Sequence, residues 1–334
     1  MYKNLKKLTL YLLLLAIITA QKPVKINGFL DAEYFDLKSK SVDETFRIFV
    51  AKPVPLVPDK KYPVIYVLDG NMFFGTAMET VRNLSGAGLG IGEIPMGFTV
   101  AIGYKDATNL LSTFHKRWRD YTPNNGGVAE KMTKLMGGPS DIAGGGAPNF
   151  LKFLNEELKP LMESKYNVDP DDATIAGVSL GGLFPSWTLL NQPDSFKRYI
   201  IMSPSIWWNS EEVWKWESRF AKNNDDINAK VFVTAGSLET IEVQKKMMDD
   251  LLKDSPEQVV QMFQPMLDHF ENEGWPKMAE ITPVFVDKLK SRGYKSLKIH
   301  CHNMPDESHS SVVPGGLSRG LRYVFDYWDP NHQE

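Results

Sequence analysis

The stretch 174–182 contains the residues of this chain that are best suited to chemistry. Its sequence, T-I-A-G-V-S-L-G-G, places Ser179 between Gly177 and Gly181 in the spacing G-x-S-x-G. This spacing is typical of a nucleophile elbow, where a strand turns sharply into a helix and the flanking positions have no room for side chains. Amides at the start of that helix face the place where an acyl oxygen gains charge. Ser179 is therefore the predicted nucleophile.

A serine hydroxyl needs a base to take its proton, and the base needs an acceptor that holds its tautomer. His309 lies a few residues after the last predicted strand and before the final predicted helix. Loops at the carboxyl ends of parallel strands are where sheets of this kind collect their sites. We therefore predict that His309 is the base.

The acid of the triad is sought between the serine and the histidine in the chain. Glu239 follows the predicted strand that ends at Gly236, which places it at the same edge of the sheet. Two alternatives remain open. Glu239 or Glu242 can simply begin the next helix, where a carboxylate suits the dipole, and Asp69 is a second candidate for the acid.

An acyl transfer also needs an oxyanion hole made of backbone amides. The amide of Leu180, the residue after the nucleophile, is one predicted donor. The second is expected in the loop after the strand that contains Leu68, where Asn71 is the natural choice. Both donors are main-chain groups, so the side chain of Asn71 has no required role in this function.

A metal site is the rival interpretation of the last strand. His300 and His302 are two residues apart and share one face of a strand, and Asp306 or His309 can complete a set of three ligands. An H-x-H pair is common in sheets, however, and no further ligand motif stands nearby. The sequence therefore favours a place on the sheet face for both histidines and predicts no metal.

Apolar runs of strand length alternate with segments of helical character along the chain. The helical segments lie around 76–84, 148–166 and 317–325, and Asp169–Asp172 reads as a turn before the strand of the elbow. This order predicts an α/β fold with a mostly parallel, doubly wound sheet and helices on both faces. The strand-like runs are 46–50, 62–71, 98–104, 173–176, 197–203, 231–236 and 297–302, and the first reads as an antiparallel-type strand.

We expect one domain over residues 21–330, because α/β enzymes of this length often form a single unit. Two stretches are longer than the alternation of strands and helices requires. Residues 126–146 are rich in glycine, and residues 255–292 are expected to insert extra helices between two strands. Long excursions in compact enzymes commonly lie over the site.

The composition excludes several classes of protein. With 43% hydrophobic and 24% charged residues the chain has the balance of a globular protein. A net charge of −3 gives no sign of binding to nucleic acid or to an anionic membrane surface. Cys301 is the only cysteine, so no intramolecular disulfide can form. The oligomeric state has no signal in the sequence.

The first twenty residues have the pattern of a signal peptide. Lys3, Lys6 and Lys7 precede the apolar run Leu8–Ala20, which ends in small residues before Gln21. We expect cleavage near Ala20 and Gln21 and a secreted or periplasmic location. The run is short for a membrane span, which needs ~20 apolar residues, so no stable membrane insertion is expected. An uncleaved anchor is the alternative.

Six motifs, taken in order, resemble those of the esterase D-like α/β-hydrolases, a family that includes the enterochelin-type trilactone esterases. The similarity runs from about Phe46 to Tyr327. The motifs are V-L-D-G-N at 67–71, A-I-G-Y at 101–104, R-W-R-D-Y-T-P at 117–123, G-V-S-L-G-G at 177–182, S-P-S-I-W-W at 203–208 and H-S-S-V-V-P at 309–314.

The resemblance implies an α/β-hydrolase fold, ester hydrolysis through an acyl-enzyme, no cofactor, and a small-molecule ester as substrate, with a siderophore-type lactone favoured. It also implies that Arg117 meets an anionic group of the substrate, for which a surface salt bridge is the structural alternative. Trp207 and Trp208 belong to a tryptophan-rich stretch that can wall an aryl pocket, although such clusters are more often core.

Three other functions share these features. An acyltransferase or a carbohydrate esterase uses the same acyl-enzyme, and the sequence does not separate them from the lactone hydrolase. A binding module that has kept only the hydrolase fold would normally have lost its nucleophile or its base. Both Ser179 and His309 are present here, which favours an enzyme. The departures from the family pattern, in 126–146 and around 255–275, bear on the substrate rather than on the reaction.

Overall fold

The computed structural model of this protein describes residues 21–86, 91–107, 110–124 and 144–327. The predicted signal peptide, 1–20, lies outside these residues, as does most of the glycine-rich stretch 126–146. Within the described ranges, no helix combines the length and the apolar character needed to cross a membrane.

A single mixed sheet of nine strands forms the centre of the described structure, in the order β1-β2-β3-β5-β4-β6-β7-β8-β9. Strands β4 to β9 run parallel to one another, while β1, β2 and β3 are antiparallel to their neighbours. The strands are β1 Val24–Lys25, β2 Ala32–Lys38, β3 Thr45–Ala51, β4 Tyr62–Val67, β5 Phe98–Tyr104, β6 Val168–Val178, β7 Arg198–Met202, β8 Lys230–Gly236 and β9 Lys298–Met304.

Helices connect the parallel strands. They are α1 Gly70–Leu84, α2 Leu110–Tyr121, α3 Ala147–Lys152, α4 Lys159–Lys165, α5 Leu180–Leu189, the short α6 Trp208–Glu211, α7 Val213–Asn223, α8 Ile241–Lys253, α9 Glu257–Glu273, α10 Met278–Ser291 and α11 Val312–Val324. A π-helical turn, Phe153–Leu158, joins α3 to α4, and Pro193–Ser195 forms one 3₁₀ turn.

Side chains alternate between two apolar layers, one on each face of the sheet. In β4, Val64 and Tyr66 join one layer, while Ile65 and Val67 join the other. Helices α1 and α11 cover the second layer, and the remaining buried helices cover the first. Burial on both faces explains why the parallel strands read as continuous apolar runs. The predicted fold class, a mostly parallel sheet with helices on both faces, is confirmed.

One predicted turn is wrong. Asp169–Asp172 was expected to precede the strand of the elbow, but β6 already begins at Val168. Tyr62 pairs with Val168 and Val64 with Ala173, so the register shifts within this segment and β6 carries an irregularity there. Proline and aspartate indicate a break in regular pairing at this place, which is what the shifted register provides.

The extra helices begin earlier in the chain than predicted. Helices α8, α9 and α10 all lie between β8 and β9, and α8 starts at Ile241, ahead of the expected boundary at residue 255. Helix α10 buries Phe285, Val286 and Leu289 in the core, whereas α8 has no buried residue. The additional structure therefore consists of α8 and α9, and α10 is the crossover helix of the sheet.

A buried carboxylate joins the π-helical turn to the loop between β2 and β3. Glu157 accepts hydrogen bonds from Ser39 Oγ at 3.1 Å, Lys40 N at 3.0 Å and Ser41 N at 2.9 Å. The side chain is buried, so these donors satisfy a carboxylate that has lost its water. This contact fixes the antiparallel end of the sheet to the helical layer.

We expect Glu157→Ala to lower the free energy of unfolding by ~2 kcal/mol, because the three donors lose a charged acceptor. Glu156→Ala is the matched control, since Glu156 is exposed and makes only a long surface ion pair with Lys152, worth well under ~1 kcal/mol. Urea denaturation of both variants measures the difference. Equal stability of the two variants would show that the Glu157 contacts contribute nothing.

Candidate active site

Ser179 lies on a sharp turn between the end of β6 and the start of α5. Its backbone has φ 62° and ψ −123°, a conformation that L-residues rarely adopt. A Cβ atom at Gly177 would lie 1.8 Å from the carbonyl oxygen of Gly181, and one at Gly182 would lie 2.9 Å from that of Met202. The turn therefore requires glycine at these positions, and the predicted strand, turn and helix are confirmed.

The neighbours of Ser179 come from the end of β7. Its amide donates to Met202 O at 3.1 Å, and its carbonyl accepts from Ser205 N at 3.0 Å. The hydroxyl lies 3.4 Å from Ser205 Oγ. The side chain is partly exposed at this edge of the sheet, where a substrate can reach it.

The two amides predicted for the oxyanion hole both lie in the first turn of a helix. Leu180 is the first residue of α5, and Asn71 is the second residue of α1. Early helical amides have no partner inside their own helix, so they remain able to donate to an oxygen. Because β4 and β6 are parallel neighbours, both helices begin at the same edge of the sheet. Their role as oxyanion donors stays a prediction.

The side chain of Asn71 holds the start of α1 against β5. Its Oδ1 accepts from Tyr104 N at 2.7 Å, and its Nδ2 donates to Tyr104 O at 3.2 Å. A Cβ atom at Gly103 would lie 2.3 Å from Asn71 Oδ1, so this close approach needs a glycine. The side chain thus fixes the position of the backbone amide that the sequence singled out.

Glu239 and His309 meet in a direct hydrogen bond. His309 Nδ1 lies 2.6 Å from Glu239 Oε2. The carboxylate is 2% exposed and also accepts from Ser203 Oγ at 2.5 Å and from Gly236 N at 2.7 Å. The imidazole side chain is 44% exposed, and Nδ1 is the ring nitrogen in this contact. This arrangement is the one that an orienting acid and a general base require.

The loops that carry Glu239 and His309 are bound to each other. Ser237 N donates to Met304 O at 2.8 Å and Leu238 N donates to Glu307 O at 3.0 Å. Asp306 N in turn donates to Ser237 Oγ at 2.9 Å. Because these loops follow the neighbouring strands β8 and β9, the sheet itself sets the separation between the acid and the base.

Ser203 is a residue of this site that the sequence analysis did not single out. It is fully buried, has φ 40°, and donates to Thr234 O through its amide at 2.6 Å. Its hydroxyl holds the Glu239 oxygen that does not face His309. The motif S-P-S after β7 contains this serine, but only the fold brings it to Glu239, which lies 36 residues later.

Arg117 is buried in an ion pair rather than exposed to solvent. Its Nε and Nη2 donate to Asp69 Oδ1 at 2.6 Å and Oδ2 at 3.0 Å. Burial opposes the cation, but the negative charge of Asp69 outweighs this and raises the pKa of Arg117. Asp69 is thus engaged by a permanent cation, which separates it from the role of triad acid. The substrate contact implied for Arg117 stays a prediction.

The two neighbouring tryptophans differ in their surroundings. Trp208 is 0% exposed and its ring packs on that of Trp118, with centroids 5.1 Å apart. The prediction that Trp208 contacts substrate is therefore wrong in this structure, because its side chain belongs to the core. Trp207 is partly exposed and meets Phe270 of α9 edge-on, at 6.3 Å between centroids.

His300 and His302 lie on one face of β9, with ring centroids 6.3 Å apart. Burial and the nearby charge of Arg319 lower the pKa of His302, which favours its neutral form. Over the described ranges, no cluster of three or more His, Cys, Asp or Glu residues has the arrangement of a metal site. The placement of both histidines on the sheet face agrees with the prediction, and the absence of a metal stays a prediction.

The family model and two similar relatives are all described as esterases. The model of the family described as "Putative esterase" matches residues 39–275. The chain is 34% identical over 292 residues to ferri-bacillibactin esterase BesA of Bacillus subtilis, covering 86% of this chain and 87% of the relative. It is 29% identical over 281 residues to the siderophore triacetylfusarinine C esterase of Aspergillus fumigatus, covering 81% and 84%.

A solved structure agrees in fold. The BES protein from Bacillus cereus superposes with a TM-score of 0.68 at 29% identity, covering 90% of this chain and 99% of that one. The resemblance drawn from the six motifs is thereby confirmed. The match to the family model over most of the chain shows that this protein belongs to the esterase family and is an ester hydrolase with the α/β-hydrolase fold.

Proposed function

We propose that this protein cleaves siderophore-type esters through an acyl-enzyme formed on Ser179, with His309 as the base and Glu239 as the orienting acid. The observation that carries the proposal is the 2.6 Å contact between His309 Nδ1 and Glu239 Oε2, at the same edge of the sheet as the Ser179 elbow. The two siderophore esterases named above support the substrate class.

In the proposed reaction, Ser179 Oγ attacks the ester carbonyl while His309 Nε2 takes its proton. The amides of Leu180 and Asn71 bind the oxygen that becomes negative. His309 then passes the proton to the leaving alcohol, and a water molecule hydrolyses the acyl-enzyme by the same route. The buried Glu239 carboxylate stabilises the imidazolium that forms during each step.

Ser179→Ala should lower turnover by at least ~10³-fold, because the variant lacks the oxygen that forms the proposed acyl-enzyme. Labelling with a fluorophosphonate, followed by mass spectrometry of the peptides, tests the assignment directly. Ser205→Ala is the matched variant, because its hydroxyl lies 3.4 Å from that of Ser179. We expect the label on Ser179 in wild type and in Ser205→Ala. Labelling of Ser179→Ala at the wild-type rate would overturn the mechanism.

Glu239→Gln should slow turnover by up to ~10⁴-fold, and by less than His309→Ala does. Ser203 Oγ and Gly236 N both donate to Oε1, so the new amide oxygen must take that place. The amide nitrogen then faces His309 Nδ1 and favours the wrong tautomer. Steady-state kinetics of wild type, Glu239→Gln and His309→Ala measure which substitution lowers turnover more.

Glu242→Gln is the control for this substitution, since Glu242 is exposed in the first turn of α8. It should retain wild-type turnover. Unchanged turnover in Glu239→Gln would remove Glu239 from the mechanism, even if Ser179 and His309 keep their roles.

A substrate panel tests the siderophore class. We expect a trilactone siderophore to be cleaved with a higher kcat/KM than either an aryl acetate or an acetylated sugar. Because Arg117 is bound to Asp69, Arg117→Ala should weaken all three reactions by a similar factor and lower Tm. A rise in KM for the anionic siderophore alone would instead establish the substrate contact. A higher kcat/KM for the acetylated sugar than for the trilactone would contradict the siderophore assignment.

We further propose that the protein is exported, on the strength of the lysine-rich start and the apolar run before Gln21. Mass spectrometry of protein purified from its native cells should give a mature chain that begins at or near Gln21. Recovery of a chain with an intact Met1 from the cytoplasmic fraction would contradict export.

A further inference from the structure

An apolar cavity of about 370 Å³ lies between α8, the end of α9 and the His309 loop. Its walls are mostly apolar side chains, and among the residues that the structure describes no lysine or arginine lines it. The walls used in the argument below are Met247, Met248, Leu251, Phe270 and Trp275. A volume of this size lies within the range of small-molecule sites. Glu239 and His309 line one side of the cavity, and its apolar walls have no role in the catalytic steps described above.

The position of His309 indicates that the cavity lies on the alcohol side of the ester bond. His309, Ser308 and Ser310 line it, whereas Ser179 does not. During acylation the histidine gives its proton to the oxygen of the leaving alcohol, so the alcohol part of the substrate must lie beside the imidazole. The acyl part lies at Ser179 and the amide of Leu180, at the ends of β6 and α5.

We propose that this cavity binds an uncharged aryl group carried by the alcohol part of the ester. This inference rests on the proposed roles of Ser179 and His309. The rings of Phe270 and Trp275 lie 5.2 Å apart at 43° and offer an aromatic wall. The thioethers of Met247 and Met248 make favourable contacts with a ring and adapt to its shape.

The bond changes follow the proposed esterase reaction. Ser179 Oγ forms a bond to the carbonyl carbon, the bond from that carbon to the alcohol oxygen breaks, and the proton held by His309 moves to that oxygen. The aryl alcohol then leaves from the cavity. The cavity therefore acts on acylation, in which the alcohol is still present, and not on hydrolysis of the acyl-enzyme.

Two isomeric esters test the assignment. In 2-phenylethyl acetate the ring is on the alcohol side, and in ethyl phenylacetate it is on the acyl side. Burial of a ring in a half-open cavity should give 2-phenylethyl acetate a kcat/KM about tenfold above that of ethyl acetate. The double variant Met247→Gln/Leu251→Gln removes apolar wall without adding charge and should reduce this advantage to about threefold or less.

The matched control is Val284→Gln, because Val284 and Leu251 are both 54% exposed on helices and Val284 does not line the cavity. Helix α8 has no buried residue, so the double variant should fold normally. We expect Val284→Gln to leave kcat/KM unchanged for all three esters. The double variant should lower kcat/KM for 2-phenylethyl acetate by a larger factor than for ethyl acetate or ethyl phenylacetate. A selective loss on ethyl phenylacetate, or no preference for 2-phenylethyl acetate in wild type, would overturn the assignment.

Fluorophosphonate labelling separates this inference from the mechanism on which it rests. Labelling of Ser179 in wild type and in the double variant, without any aryl preference, would refute the cavity assignment alone. If wild type is not labelled at Ser179, both the proposed mechanism and the cavity assignment are refuted.

Discussion

The backbone of Ser179 is held in a strained conformation, and the active edge of the sheet is organised around that constraint. A residue at φ 62° and ψ −123° costs roughly 1–3 kcal/mol, so its surroundings must hold it there. Three amides, those of Gly182, Leu183 and Ser205, donate to its carbonyl oxygen, and its own amide donates to Met202. The parallel pairing of β6 with β7 places Met202 and Ser205, whereas Gly182 and Leu183 lie in α5, so the sheet and the helix together hold this conformation.

Asp69 and Glu239 are buried carboxylates at the same edge of the sheet, but their hydrogen-bond partners differ in charge. Asp69 faces Arg117 through two hydrogen bonds, so its negative charge is neutralised by a permanent cation. Glu239 accepts from the neutral donors Ser203 and Gly236 and lies in contact with His309. In the proposed mechanism, its negative charge therefore stabilises the imidazolium that forms on His309, which is when an orienting acid contributes most.

Much of this arrangement could be predicted from local sequence. The apolar runs of the parallel strands follow from burial on both faces, and the glycines around Ser179 follow from a turn that tolerates almost no side chain. The contact between Glu239 and His309 could be anticipated because each residue follows a strand closely. In a parallel sheet that placement alone brings side chains to one edge.

Other parts depend on contacts between distant segments, and no local pattern encodes them. Arg117 and Asp69 are 48 residues apart, so the sequence could not show that the cation already has a partner. Trp207 and Trp208 are adjacent and identical in type, but one is partly exposed and the other fully buried. Their different environments are set by Phe270 and Trp118, which come from separate helices.

The helices between β8 and β9 connect the shape of the cavity to the position of the acid. The main-chain oxygen of Glu239 accepts from Gln244 Nε2 at 3.2 Å and from Ala279 N at 3.3 Å. Gln244 Nε2 also donates to Pro276 O at 2.6 Å, which joins α8 to the start of α10. A change at Gln244 would therefore disturb the position of Glu239, and in the proposed mechanism it would slow the cleavage of every ester. The exposed apolar side chains of α8, such as Leu251, lie outside this network, so in the proposed function they set selectivity without moving Glu239 or His309.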